Sequence, residues 1–157
     1  MMPEVGNIAP EISLPDQAGK MTTLSSLRGK TVVLYFYPKA DTPGCTIESC
    51  SFRDSAPTFA ASDAVIVGIS PDTPKAQQKF ATKFDLPFTL FADADHSACE
   101  AYGVWVEKSM YGKKYMGVER TTFVIDPTGT ITHIFRKVKI EGHSDEVLAA
   151  VKAGTKD

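Results

Sequence analysis

Two uninterrupted runs of β-branched and aromatic residues, at 31 to 37 and 64 to 70, dominate the apolar pattern of the chain. Continuous apolar residues, without polar alternation, predict central strands covered on both faces and paired in parallel. Between them, residues 43 to about 60 carry Ile47, Phe52 and Phe59 at weakly helical spacing, and Pro57 is expected to stop or kink that helix. Thr73-Pro74 opens a second helix running to about Phe84. Residues 88 to 91 read as a short strand, and 97 to 102 as one or two helical turns closed by Gly103. Residues 120 to 125 and 130 to 135 form a predicted hairpin, because Asp126-Pro127-Thr128-Gly129 places Pro and Gly where a type I turn wants them. A last helix, 144 to 152, has Val147, Leu148 and Val151 on one face.

This order describes an α/β chain with a mixed central sheet and helices on both faces. At 157 residues and 43% hydrophobic content it is long enough for one good core, so a single domain, 1–157, is expected. A net charge of −2 leaves no electrostatic footprint for nucleic acid or an anionic membrane. Neither is expected as a partner. The first residues have no basic and apolar leader pattern, and no stretch approaches the roughly 20 apolar residues of a membrane span. A cytoplasmic chain, or one from which a targeting peptide has been removed, is expected. Three cysteines without a secretion signal argue for redox or metal use in a reducing compartment, against a structural disulfide framework.

The chemistry concentrates in residues 38 to 50, Pro-Lys-Ala-Asp-Thr-Pro-Gly-Cys-Thr-Ile-Glu-Ser-Cys. Thr42 is the expected N-cap and Pro43 the first helical residue, which puts Cys45 in the first turn. Unpaired backbone N–H groups and the helix dipole favour a thiolate there. Cys50 follows five residues later. In an α-helix, positions five apart have Cα atoms roughly 8.5 Å apart and point about 140° away from each other. A disulfide needs Cα atoms within about 7 Å, so a bond between these cysteines requires local unwinding. Two unrelated cysteines, one at a turn and one in the core, remain an alternative.

Pro38, Thr42 and Cys45, spaced as Pro-x-x-x-Thr-x-x-Cys, resemble the active-site signature of peroxiredoxins. Thr-Pro-Gly-Cys-Thr with a second cysteine five residues later is similar to the PrxQ branch, also called bacterioferritin comigratory protein. Residues 102 to 115 and 120 to 126 resemble the same branch. The resemblance implies a thioredoxin-like fold, a peroxidatic Cys45, a resolving Cys50, Thr42 and Arg120 as polar partners of the site and Pro38 as its lid. It implies reduction of hydrogen peroxide or organic hydroperoxides, no cofactor and no metal, recycling by thioredoxin or a similar dithiol, and a monomer. A redox sensor and a general disulfide oxidoreductase are the rival readings of the same two thiols.

Thiolate formation alone is insufficient for such an enzyme. Lowering a cysteine pKa from about 8.5 to about 6 raises the thiolate fraction at pH 7 roughly 30-fold. With a Brønsted slope of about 0.45, the same shift costs roughly 13-fold in nucleophilicity, leaving about twofold. The rest must come from donors that stabilise the moving charge. Thr42 is expected to accept the Cys45 N–H while its own O–H points at sulfur or peroxide, and Arg120 to supply a fixed charge. A cap alone, an exposed strand-end arginine and a plain turn proline are the corresponding alternatives for Thr42, Arg120 and Pro38. Glu48 is equally well explained by a solvated helix face. Cys99 reads as a core residue before an alternative resolving thiol, and a zinc site from Cys45, Cys50, His96 and Cys99 is the remotest reading. His133 reads as a surface strand residue, His143 as a neighbour of a helix cap, and the Lys108, Lys113 and Lys114 patch as a solvated loop.

Overall fold

The structure is a computed structural model and describes residues 3–154 of the chain; residues 1–2 and 155–157 lie outside the described residues. Its centre is a five-stranded sheet built from β3 (Thr31–Phe36), β4 (Ala64–Ser70), β5 (Thr89–Ala92), β8 (Thr121–Ile125) and β9 (Ile131–Phe135), ordered β5-β4-β3-β8-β9. β3 pairs in parallel with β4, and β4 with β5, whereas β3–β8 and β8–β9 are antiparallel. The sheet is mixed, as expected. Both apolar runs lie in its middle: every residue of β3 is buried, and so are all but one of β4. The Asp126–Gly129 turn also forms as the sequence indicates, with Gly129 N–H donating to the Asp126 carbonyl and Gly129 at φ 93°.

Helix α1 (Pro43–Ala61) connects β3 to β4, and α2 (Pro74–Phe84) connects β4 to β5. Successive right-handed crossovers in one direction put both helices on the same face. The closing helix α4 (His143–Gly154) joins them there, so Phe52 and Phe59 of α1, Phe80 of α2 and Val147 and Val151 of α4 share one apolar cluster with Tyr35 and Val33. The opposite face carries one short α-helix, α3 (Ser97–Ala101), and a 3-10 turn at Ser25–Leu27, and is further covered by the N-terminal segment with its small hairpin β1 (Ser13–Pro15) and β2 (Met21–Thr23) and by Val104, Trp105 and Val118. Helical cover is therefore unequal on the two faces.

Two expectations need correction. Pro57 does not end α1, which continues to Ala61. The proline is exposed, while Phe52 and Phe59 on either side of it are fully buried, so tertiary packing holds the helix across the missing N–H. Residues 105 to 118 are an antiparallel hairpin, β6 (Trp105–Met110) and β7 (Lys113–Val118), where a solvated loop was expected. The hairpin belongs to no larger sheet and its outer half is exposed on both faces, so it has no apolar alternation to detect. Its turn, Tyr111 at φ 52° and Gly112 at φ 78°, is of the kind that matches strand twist.

Candidate active site

The loop that leaves β3 is held from the second crossover. Ala40 N–H donates to Asp72 Oδ2 at 2.8 Å, and Lys83 of α2 pairs with Asp41 at 3.0 Å. Asp41 itself adopts φ 61°, which turns the chain into α1. Thr42 occupies the N-cap position with extended backbone, and its carbonyl accepts the Thr46 N–H at 2.8 Å. The side chain does something other than expected. Its hydroxyl donates to the Lys39 carbonyl at 2.8 Å and makes no capping bond. A hydroxyl has one proton, and the tight turn through Asp41 brings the Lys39 oxygen within its reach. Pro38 lies half-buried directly after Tyr37, the last wholly buried residue of this segment.

Cys45 is only 1% exposed and lies in the apolar cluster beneath α1. Arg120, immediately before β8, reaches it from across the sheet: Nη2 donates to Cys45 Sγ at 3.3 Å. Nη1 of the same guanidinium is bound to Glu48 Oε1 at 2.6 Å. One planar fork thus spans the thiol and a carboxylate one turn further along α1, a geometry that a lysine could not reproduce. Gly44 makes room for it, since a Cβ there would stand 3.3 Å from both Arg120 Nη2 and Ile140 Cδ1. The Arg120 side chain is 16% exposed, so it is no strand-end surface residue.

Glu48 is the residue that sequence reasoning left aside. It is buried, and its second oxygen, Oε2, has no hydrogen-bond partner. Burial pushes its carboxyl up to about 7 despite the opposing pull of Arg120. The partner that explains it is 72 residues away in sequence, out of reach of any local pattern. His143 is the second departure. It is buried, pairs through Nε2 with the Thr122 hydroxyl at 2.8 Å and through Nδ1 with Glu146 at 2.6 Å, and burial pushes its pKa down.

All three cysteines are free thiols. Cys50 is half-buried in the same unbroken helix as Cys45, so the helical geometry that keeps their side chains apart applies. Cys99 belongs to the apolar cluster on the other face of the sheet, with its N–H donating to Asp93 Oδ2 at 2.8 Å, and burial drives its thiol strongly upward. The sheet separates it from Cys45 and Cys50, and His96 is stacked on Trp105 at 4.1 Å. The four candidate zinc ligands are therefore not assembled.

Residues 5–134 match the AhpC/TSA family. The chain belongs to that family. Within it, the relatives are peroxiredoxins of the Bcp/PrxQ branch. Peroxiredoxin Bcp of Bacillus subtilis is 48% identical over 95% of this chain and 95% of its own, and peroxiredoxin Bcp of Escherichia coli is 46% identical over 95% and 96%. The bacterioferritin comigratory protein of Xanthomonas campestris, whose structures bear on alkyl peroxide reduction, superposes with a TM-score of 0.88 at 43% identity, covering 92% of each chain. A cysteine-to-serine variant of Xylella fastidiosa PrxQ gives 0.92 at 35% identity, covering 99% of each. The fold is thus the thioredoxin-like fold of peroxiredoxins, and the activity that of a thiol peroxidase. Among the described residues, no helix is long and apolar enough to cross a membrane.

Proposed function

We propose that Cys45 is the peroxidatic and Cys50 the resolving cysteine of a single domain, 1–157, that reduces hydrogen peroxide and organic hydroperoxides as a cytoplasmic monomer. The Cys45 thiolate attacks the terminal oxygen of the hydroperoxide, the O–O bond breaks, and the departing oxygen takes up a proton as water or alcohol. Cys45 is left as a sulfenic acid. Cys50 then attacks that sulfur: the S–S bond forms, the S–O bond breaks, and the oxygen leaves as water with the thiol proton. A thioredoxin-type dithiol reduces the disulfide and is itself oxidised.

The observation that carries this reading is the 3.3 Å contact between Arg120 Nη2 and Cys45 Sγ. A fixed cation at the sulfur also stands where charge develops on the leaving oxygen, and needs no rearrangement at the moment of reaction. Glu48 holds the guanidinium in that orientation. Thr42, its proton committed to Lys39, keeps oxygen lone pairs with which to accept the hydroperoxide O–H and so align the O–O bond. Pro38, half-buried two residues beyond β3, serves as the lid of the site. Both cysteines lie on one helix, so the disulfide needs no second copy.

The test is peroxide consumption with thioredoxin as sole reductant. Cys45→Ser abolishes it, and Cys50→Ser consumes about one equivalent and stops. Sustained turnover in Cys50→Ser would move the resolving role to another thiol, and a single turnover in the parent protein would favour a sensor.

A further inference from the structure

Immediately after Cys50, α1 is fastened to the start of α4. The hydroxyls of Ser51 and Ser144 share a hydrogen bond of 2.7 Å, and the Phe52 ring meets His143 edge to face at 5.8 Å. His143 is itself tied to β8 through Thr122, and to its own helix through Glu146. This buried polar group takes no part in the chemistry derived above. It lies one residue beyond the stretch that must unwind.

We infer that Ser144 is a positioning residue for Cys50: by holding Ser51 it keeps the resolving thiol helical, and so sets how long the Cys45 sulfenic acid waits for it. The inference rests on Cys50 being the resolving thiol. Closing the disulfide requires the Cα gap to fall from roughly 8.5 Å to within about 7 Å and two divergent side chains to converge. Before Ser51, the contacts that oppose this are the Arg120–Glu48 pair and the hydrogen bond between Ser49 and Tyr35 at 2.8 Å. At Ser51 the helix meets a fixed point, because Ser144 is anchored through its neighbour His143 to the central sheet. While the bond holds, the whole swing of Cys50 must be absorbed by its own backbone and the turn before it. With the bond released, α1 opens one residue further and the swing is shared. A sulfenic acid that waits longer is more exposed to a second hydroperoxide, which transfers its oxygen to sulfur to give the sulfinic acid and leaves as water or alcohol. Ser144 therefore governs the partition between disulfide and sulfinate.

The experiment follows the state of each cysteine by rapid quench and mass analysis after stepped doses of hydrogen peroxide. Ser144→Ala should form the Cys45–Cys50 disulfide on the order of fivefold faster, the effect of one net hydrogen bond, and yield correspondingly less sulfinate at equal dose. The first step, loss of the Cys45 thiol, should keep its rate. Ser51→Ala removes the same bond, although alanine also strengthens the helix locally. The double variant should therefore add less than the sum of the two singles. In the reduced Ser144→Ala protein, hydrogen exchange should rise at amides 45 to 52 and stay unchanged in β3 and β4. An unaltered disulfide rate in Ser144→Ala, additive single effects, or exchange raised throughout the chain as a merely structural role would give, overturns the inference while leaving Cys50 as resolving thiol. Absence of any Cys45–Cys50 linkage in the parent protein removes the resolving role, and this inference with it.

Discussion

The two halves of α1 form one continuous helix held by different forces. From Cys45 to Ser49 the inward side chains meet polar partners: Arg120 Nη2 on Cys45, Arg120 Nη1 on Glu48 and the Tyr35 hydroxyl on Ser49. From Phe52 to Phe59 they meet rings, with Phe52 4.8 Å from Tyr35 and 6.1 Å from Phe59 by centroid. A typical hydrogen bond contributes about 1 kcal/mol net because water replaces it on opening, whereas a buried Phe forfeits about 1.5–3 kcal/mol on exposure. On the roles proposed for Cys45 and Cys50, the first half is the part that opens and is restored within the cycle. The second half anchors it.

The strongest challenge to this division is Phe52→Ala. Truncating a fully buried ring should cost about 3–5 kcal/mol of stability in chemical denaturation. Where the variant is still folded, Cys45 should react with peroxide within about threefold of the parent rate. A collapse of the chemical step in folded protein would show that the anchor also shapes the site. Arg120→Ala should do the opposite, lowering the rate of Cys45 oxidation on the order of 100-fold with a smaller effect on folding. A parent-like rate in stopped-flow measurements would reduce Arg120 to a structural partner of Glu48.

The smallest effect concerns Glu48 and its dependence on pH. Its carboxyl is raised from the ordinary 4.5 to about 7 in the folded protein, chiefly by burial. Between those values the folded state retains a proton that the unfolded state releases, so stability falls as pH rises. The contribution is fully present below about 4.5 and is lost as pH rises through about 7. Glu48→Gln cannot ionise, so it should gain stability relative to the parent between pH 5 and about 7.5, read from urea midpoints. A parent-to-variant difference that is constant over this range would rule out burial as the dominant influence on Glu48.

Much of this was legible locally. The runs that became β3 and β4 needed only their own composition, as did Pro43 at the start of α1 and Gly129 in its turn. The Cys45 motif was equally local. What escaped detection depends on distant partners. Glu48 looks like any exposed helical glutamate until Arg120, 72 residues on, is brought over it. His143 reads as a cap neighbour until β8 supplies Thr122. Thr42 is found at the N-cap position, yet the destination of its proton depends on the backbone turn at Asp41, which no side-chain pattern announces. The hairpin β6–β7 was missed for the opposite reason: too little of it is buried to leave a pattern.

The contact between Cys45 and Arg120 joins residues 75 positions apart. A ribosome adding about 5–20 residues per second delivers the arginine roughly 4–15 s after the cysteine. β3, which feeds the chain into α1, waits longer still for β8, its antiparallel neighbour. Throughout that interval Cys45 is a thiol without its cation. On the roles proposed for Cys45 and Arg120, peroxide reactivity is expected to switch on only when β8 joins the sheet and brings the guanidinium to the sulfur.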